Sequence, residues 1–161
     1  MKKNNYRETA VAVIINSKKE VLLALNPRIN SIDKKYVDFN TYKFPQGGIE
    51  KGETKLDAII REMKEELGIT LNKDYQILQS FPESISYWFK NEEKPDFEIK
   101  LFPFLLVLLD DTYKFNCDPE EVSEIKWIDP NKVKNLNLGI RKEAYLKILS
   151  LFNLTSNKYH L

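Results

Sequence analysis

Five charged residues in one short stretch, Glu53, Arg61, Glu62, Glu65 and Glu66, have the types and spacing to do chemistry. On a helix turning about 100° per residue, Glu62, Glu65 and Glu66 share one arc, so three carboxylates stand on one face. Exposed like-charge pairs one turn apart cost about 0.2–0.5 kcal/mol each, and more where a core edge lowers the effective dielectric. Something has to neutralise them. Lys55 lies near the arc and Arg61 at its edge, which suits an ordinary solvated face. A divalent cation is the other solution: magnesium takes carboxylate oxygens and keeps positions open for water and substrate phosphates.

The element that must position these groups is a helix with both ends marked. Thr54 to Asp57 forms a capping box at its start, and Gly68 stands where a glycine would end it. Leu56, Ile59, Ile60, Met63 and Leu67 make the core-facing stripe, which borders the carboxylate arc. Around this helix the chain alternates between extended and helical patterns. TAVAVIIN and EVLLALN, about a polar SKK turn, read as a strand hairpin. Residues 27–41 are polar and irregular, a long loop that is either functional or a surface insertion. YQILQSF, ISYWFK, FEIKLFPFLLVLL and EIKWID read as strands, with Pro103 marking an edge, a bulge or a strand start. Asp129 and Pro130 begin a short helix. A closing helix over 140–152 turns Ile140, Ala144, Ile148, Leu151 and Phe152 inward. Strands, helix, strands, helices is the order of an α+β domain, a mixed sheet with helices packed on it.

The whole chain narrows the choices. At 161 residues it fits one domain, 1–161, and its formal net charge of +1 offers no global field for DNA, RNA or a membrane surface. An anionic ligand has to be held locally. Cys117 is the only cysteine and His160 the only histidine, so an internal disulfide and a cysteine-built zinc site are excluded. A thiolate nucleophile has little support, and Cys117 and His160 read as a packing residue and a tail residue. The longest apolar run, LFPFLLVLL, is far too short to span a membrane, and the N-terminus lacks a signal pattern. A cytoplasmic, reducing setting is the expectation.

From Gly47 onward the residues run Gly, five others, Glu53, seven others, Arg61-Glu62-Met63, one other, Glu65-Glu66, one other, Gly68-Ile69. This resembles, without a substitution, the signature box of the Nudix hydrolases, G-x5-E-x7-R-E-U-x-E-E-x-G-U with U a bulky apolar residue. The resemblance implies an α/β/α sandwich with a mixed β-sheet between helices. It also implies hydrolysis of a phosphoanhydride in a nucleoside diphosphate linked to a further group. By the same resemblance Glu62, Glu65 and Glu66, with Gly47, hold magnesium, or manganese in its place, and Glu53 pairs with Arg61 to fix the loop against the helix. Metals suit that reaction because attack on a multiply charged pyrophosphate needs charge neutralisation and an activated water. Gly47, Gly48 and Gly52 are then expected to supply unusual backbone angles and close approach to phosphate or metal. A Walker-type loop is excluded, because no Gly-Lys-Ser/Thr occurs.

The flanks narrow the resemblance. FPQGGIEKGE is similar to the lead-in of bacterial RNA pyrophosphohydrolases and diadenosine tetraphosphate hydrolases. Aligned on Trp127, Glu121 takes the place of that group's extra acidic metal ligand, with Glu120 and Glu124 as alternatives and an acidic surface turn as the plain reading. Arg141, Lys142 and Tyr145 resemble the group's basic-then-tyrosine pattern, where they contact polyphosphate or base; otherwise they are surface helix residues. The implied substrate is a dinucleoside polyphosphate or a nucleoside or RNA 5′-triphosphate, the low basic charge tilting toward a small nucleotide. An oxidised nucleotide, a sugar nucleotide or ADP-ribose, and a nucleotide-sensing module without hydrolysis, are the other readings. The box carries catalysis, whereas substrate choice is set outside it, and the sequence leaves the oligomeric state open.

Overall fold

The computed structural model describes residues 5–26, 41–90, 96–117, 122 and 124–156. Eight strands form one mixed sheet: β1 (Asn5–Ile15), β2 (Val21–Asn26), β3 (Thr41–Lys43), β4 (Gln46–Gly48), β5 (Tyr75–Ser80), β6 (Ile85–Phe89), β7 (Phe97–Leu108) and β8 (Glu124–Ile128). The order β3-β2-β1-β7-β5 makes its spine, with β4 also pairing β1, β6 also pairing β7 and β8 also pairing β2. Only β1 and β7 run parallel among these pairs. Strand β1 explains the layering. Its alternate residues point to opposite faces, and both sets are buried: Val11, Val13 and Ile15 on one side, Ala10, Ala12 and Ile14 on the other. A strand apolar on both faces needs a layer on each, so the architecture is the expected α/β/α sandwich.

Helix α1 (Lys55–Leu67) covers the face of Ala10 and Ala12, whose short side chains let it come close. Its start is the expected cap, with Asp57 N–H donating to Thr54 Oγ1 at 3.0 Å. Its end is Gly68 at φ 71°, with Ile69 N–H donating to the Met63 carbonyl at 3.2 Å. The buried residues are Ala58, Ile59, Met63 and Leu67. Leu56, expected in the stripe, is 46% exposed instead. It sits in the first turn, and Ala58 takes the inner position.

Helix α2 (Lys142–Leu151) covers the other face, behind two 3-10 turns, Pro130–Asn135 and Gly139–Arg141. Asp129 caps the first, accepting from Asn131 N–H at 2.9 Å. The buried set of α2 is Ala144, Tyr145, Ile148, Leu149 and Ser150, so its inner face is rotated from the expected stripe and contains Tyr145. Pro103 is neither an edge nor a strand start. It lies mid-strand in β7, where the β6 ladder ends at Leu101 and the β5 ladder begins at Phe104. Its carbonyl accepts from Phe81 N–H at 3.2 Å, so the missing N–H faces the handover between two partners, where no ladder bond is lost. Among the described residues, no helix is long and apolar enough to cross a membrane.

Candidate active site

The stretch between β3 and α1 is a strand, not only a loop. Gln46, Gly47 and Gly48 pair antiparallel with Val11, Ala10 and Thr9. Gly47 and Gly48 therefore keep extended angles, and of the unusual backbone angles expected at the three glycines a positive φ occurs only at Gly52, with φ 82°. Close approach is what Gly47 supplies: a Cβ there would collide with the Glu62 carboxylate. The α1 carboxylate thus lies flat on β4 backbone, which no larger residue permits.

Arg61 ties this contact together. Its Nε and Nη2 donate to the two Glu53 oxygens at 2.8 and 2.9 Å, and Nη2 also donates to the Gly48 carbonyl at 2.8 Å. Nη1 donates to Glu62 at 2.7 Å and to Glu65 at 3.2 Å. The expected Glu53–Arg61 pair is present and bidentate, the strongest geometry for such a pair. The Arg61 hydrogen bonds, with the Glu50 N–H, hold the Glu53 carboxyl down at about 2 from an ordinary 4.5. The same partner raises Arg61 above its usual value.

Glu62 is mostly covered, at 15% exposure, Glu65 is exposed and Glu66 is half-buried. Among the described residues, no three acidic, histidine or cysteine side chains converge on one point, and Arg61 occupies an oxygen of both Glu62 and Glu65. The donors are hard oxygens throughout, three carboxylates and the β4 backbone, and this chemistry fits magnesium or manganese. Glu66 also borders the 113–117 segment: its charge helps burial push the Cys117 thiol up. Tyr113 seats that segment, its hydroxyl donating to the Gly68 carbonyl at 2.9 Å. Glu121 and Glu120, candidates for a further ligand, lie outside the described residues, as do His160 and residues 27–40. Glu124 is exposed at the start of β8.

The C-terminal candidates separate. Lys142 is exposed, as expected. Tyr145 and Arg141 are not surface helix residues: Tyr145 is wholly buried and Arg141 is 3% exposed. Tyr145 packs against Phe44, with centroids 4.4 Å apart and the rings tilted by 42°, and its hydroxyl donates to Gln46 Oε1. Gln46 Nε2 in turn donates to the Tyr87 hydroxyl at 3.3 Å, and the Arg141 guanidinium lies 5.3 Å from the Tyr87 ring centre. The wholly buried ring has no surface open to a nucleotide.

Three residues escaped the sequence reading: Gln46, Tyr87 and Arg7. Arg7 is exposed, and its guanidinium covers Gly48 on the face opposite Glu62. Side chains alternate along a strand, so β4 presents the carboxylates of α1 on one side and Arg7, Gln46 and Tyr87 on the other. Each comes from a different strand, so no local spacing links them. The one available signal was Gln46 itself, a polar residue beside two glycines.

A sequence model described as the NUDIX domain matches residues 5–148. Among curated proteins, an RNA pyrophosphohydrolase of a Nitratiruptor species is 28% identical over 163 residues, spanning 94% of this chain and 96% of the relative. An RNA pyrophosphohydrolase of a Sulfurovum species is 34% identical over 135 residues, spanning 77% of this chain and 76% of the relative. The fold is shared with a Caenorhabditis elegans Ap4A hydrolase solved as a binary complex. That likeness has a TM-score of 0.61 at 19% identity, over 91% of this chain and 97% of that one.

Proposed function

The chain belongs to the Nudix family and is a hydrolase acting on an acid anhydride, and from that premise we propose that it is a magnesium-dependent pyrophosphohydrolase of triphosphorylated 5′ ends, RNA ends first among them. The observation that carries the proposal is the β4 edge, with the Glu62 carboxylate packed on Gly47 on one side and the Arg7 guanidinium over Gly48 on the other. A polyphosphate lying along this edge meets a carboxylate face able to recruit cations and a cation able to bind phosphate oxygen directly. Relatives that align over nearly the whole chain carry the RNA pyrophosphohydrolase name, which supports the RNA end as substrate.

Glu62, Glu65 and Glu66, with the Gly47 carbonyl, would hold the magnesium, and Glu121 is the further candidate. When bound, the metal would supply charge neutralisation at the phosphoanhydride and acidify an attacking water. The chain's own residues do the rest. Arg61 fixes the loop to the helix through Glu53 and Gly48, so the carboxylates start from set positions. Lys142, exposed at the start of α2, is a candidate phosphate contact. Arg141 and Tyr145 serve from below, through Tyr87 and Gln46.

A second reading, hydrolysis of a dinucleoside polyphosphate, is favoured by the net charge of +1, since gripping an RNA backbone rewards many lysines and arginines. Purified protein with magnesium, given 5′-triphosphorylated RNA and diadenosine tetraphosphate in parallel, decides between them by relative kcat/KM. Absence of turnover on both would refute the proposal, and Glu66→Gln is expected to abolish most turnover while leaving the fold intact.

A further inference from the structure

Strand β4 is three residues long, and two of them are glycines with no side chain to anchor it. Its position relative to α1 nevertheless has no slack, since the Glu62 carboxylate fills the space where a Gly47 side chain would stand. Two ties hold it. From α1, Arg61 Nη2 donates to the Gly48 carbonyl at 2.8 Å. From α2, on the opposite face of the sheet, the Tyr145 hydroxyl donates to Gln46 Oε1 across 99 positions of sequence.

We propose that Tyr145 is a positioning residue for the hydrolysis, acting through Gln46 to hold Gly47 against Glu62. The inference rests on reading the Glu62 face as the metal-binding face. A carbonyl oxygen only accepts, so Tyr145 must donate to Oε1, and this turns the Gln46 amide so that Nε2 faces the Tyr87 hydroxyl. The side chain is then pinned at both ends. Tyr145 cannot drift, because it is wholly buried and packed against Phe44, two residues before Gln46 in the same segment. Losing the hydroxyl leaves the amide with one tie and a part-buried acceptor without its donor, and the resulting play in Gln46 passes to its neighbour Gly47.

The test is Tyr145→Phe, which keeps the ring on Phe44 and removes only the hydroxyl, with Gln46→Met as the second variant should the first not fold. Ile148→Val, a change in the same core with no tie to β4, serves as the stability control. Manganese affinity of the substrate-free protein is measured by electron paramagnetic resonance, with kcat and KM on the substrate the wild type hydrolyses. Tyr145→Phe is expected to weaken manganese binding several-fold and to lower kcat by roughly five- to tenfold, the scale of one hydrogen bond, with KM little changed. Ile148→Val lowers the melting temperature and leaves affinity and kcat unchanged. If Tyr145→Phe and Gln46→Met match the wild type in both readouts, or if Ile148→Val loses as much as they do, the positioning role is overturned. A wild type that binds no manganese removes the reading of the Glu62 face instead, a separate outcome.

Discussion

Adding one methyl group at Gly47, and separately at its neighbour, tests how the site is built. A Cβ at residue 47 collides with the Glu62 carboxylate, whereas a Cβ at residue 48 meets the far end of the Arg7 side chain. The two neighbours differ in freedom. Glu62 is 15% exposed and held by Arg61 at 2.7 Å, so making room forfeits a charge-assisted hydrogen bond, about 1.5–3 kcal/mol, and moves a carboxylate of the proposed metal-binding face. A displacement near 1 Å at a reacting centre costs about a hundredfold in rate. Arg7 is exposed and can swing into solvent. Gly47→Ala is therefore expected to lower kcat/KM by about a hundredfold, and Gly48→Ala by no more than about tenfold, the value of one polar contact. Steady-state kinetics at saturating magnesium, with thermal melting to confirm folding, measure both. Equal losses in the two variants, or an active Gly47→Ala, would refute the steric argument.

Other expectations concern stability. Glu53 has a folded pKa near 2 against 4.5 unfolded, set first by the Arg61 hydrogen bonds, so its contribution is full above pH 4.5 and disappears as pH falls toward 2. Glu53→Gln should flatten the acid limb of the stability profile from urea titrations between pH 7 and 3, taken as rough working limits, and an unchanged slope would contradict the pairing. Among the described residues the buried Tyr75 hydroxyl has no hydrogen-bond partner, so Tyr75→Phe should raise stability by about 1 kcal/mol. Burial lifts its pKa from 10.0 to about 12, so stability of the wild type falls across that interval as the unfolded chain ionises first, and the variant should lose that fall. Lys19 turns the β1–β2 hairpin at φ 60°, and Lys19→Gly should gain up to about 1 kcal/mol, read as a higher melting temperature.

What the sequence made legible was local. The helix of the box, its Thr54 cap and its Gly68 stop followed from short-range rules, and the two-sided burial of β1 agrees with the sandwich. The Glu53–Arg61 tie came from resemblance, and its geometry agrees. What escaped was set by tertiary placement. Strands β3 and β4 are three residues each, too short for an alternating pattern, and Gly47 and Gly48 carry no strand preference of their own. Leu56 has the right helical angle for the core and is exposed in the first turn, while Ala58, too small to stand out in a hydrophobic pattern, is buried. Tyr145 had a surface pattern in sequence and a core position in space, because α2 begins at Lys142, behind a 3-10 turn that sets its rotation.

The most direct test of the central claim is hydrolysis in oxygen-18 water, with magnesium or with chelator, of 5′-triphosphorylated RNA and diadenosine tetraphosphate. The account predicts magnesium-dependent cleavage of one of them, with one labelled oxygen in a phosphate-containing product and loss of turnover in Glu66→Gln. Cleavage that persists in chelator, or full activity in Glu66→Gln, would contradict it.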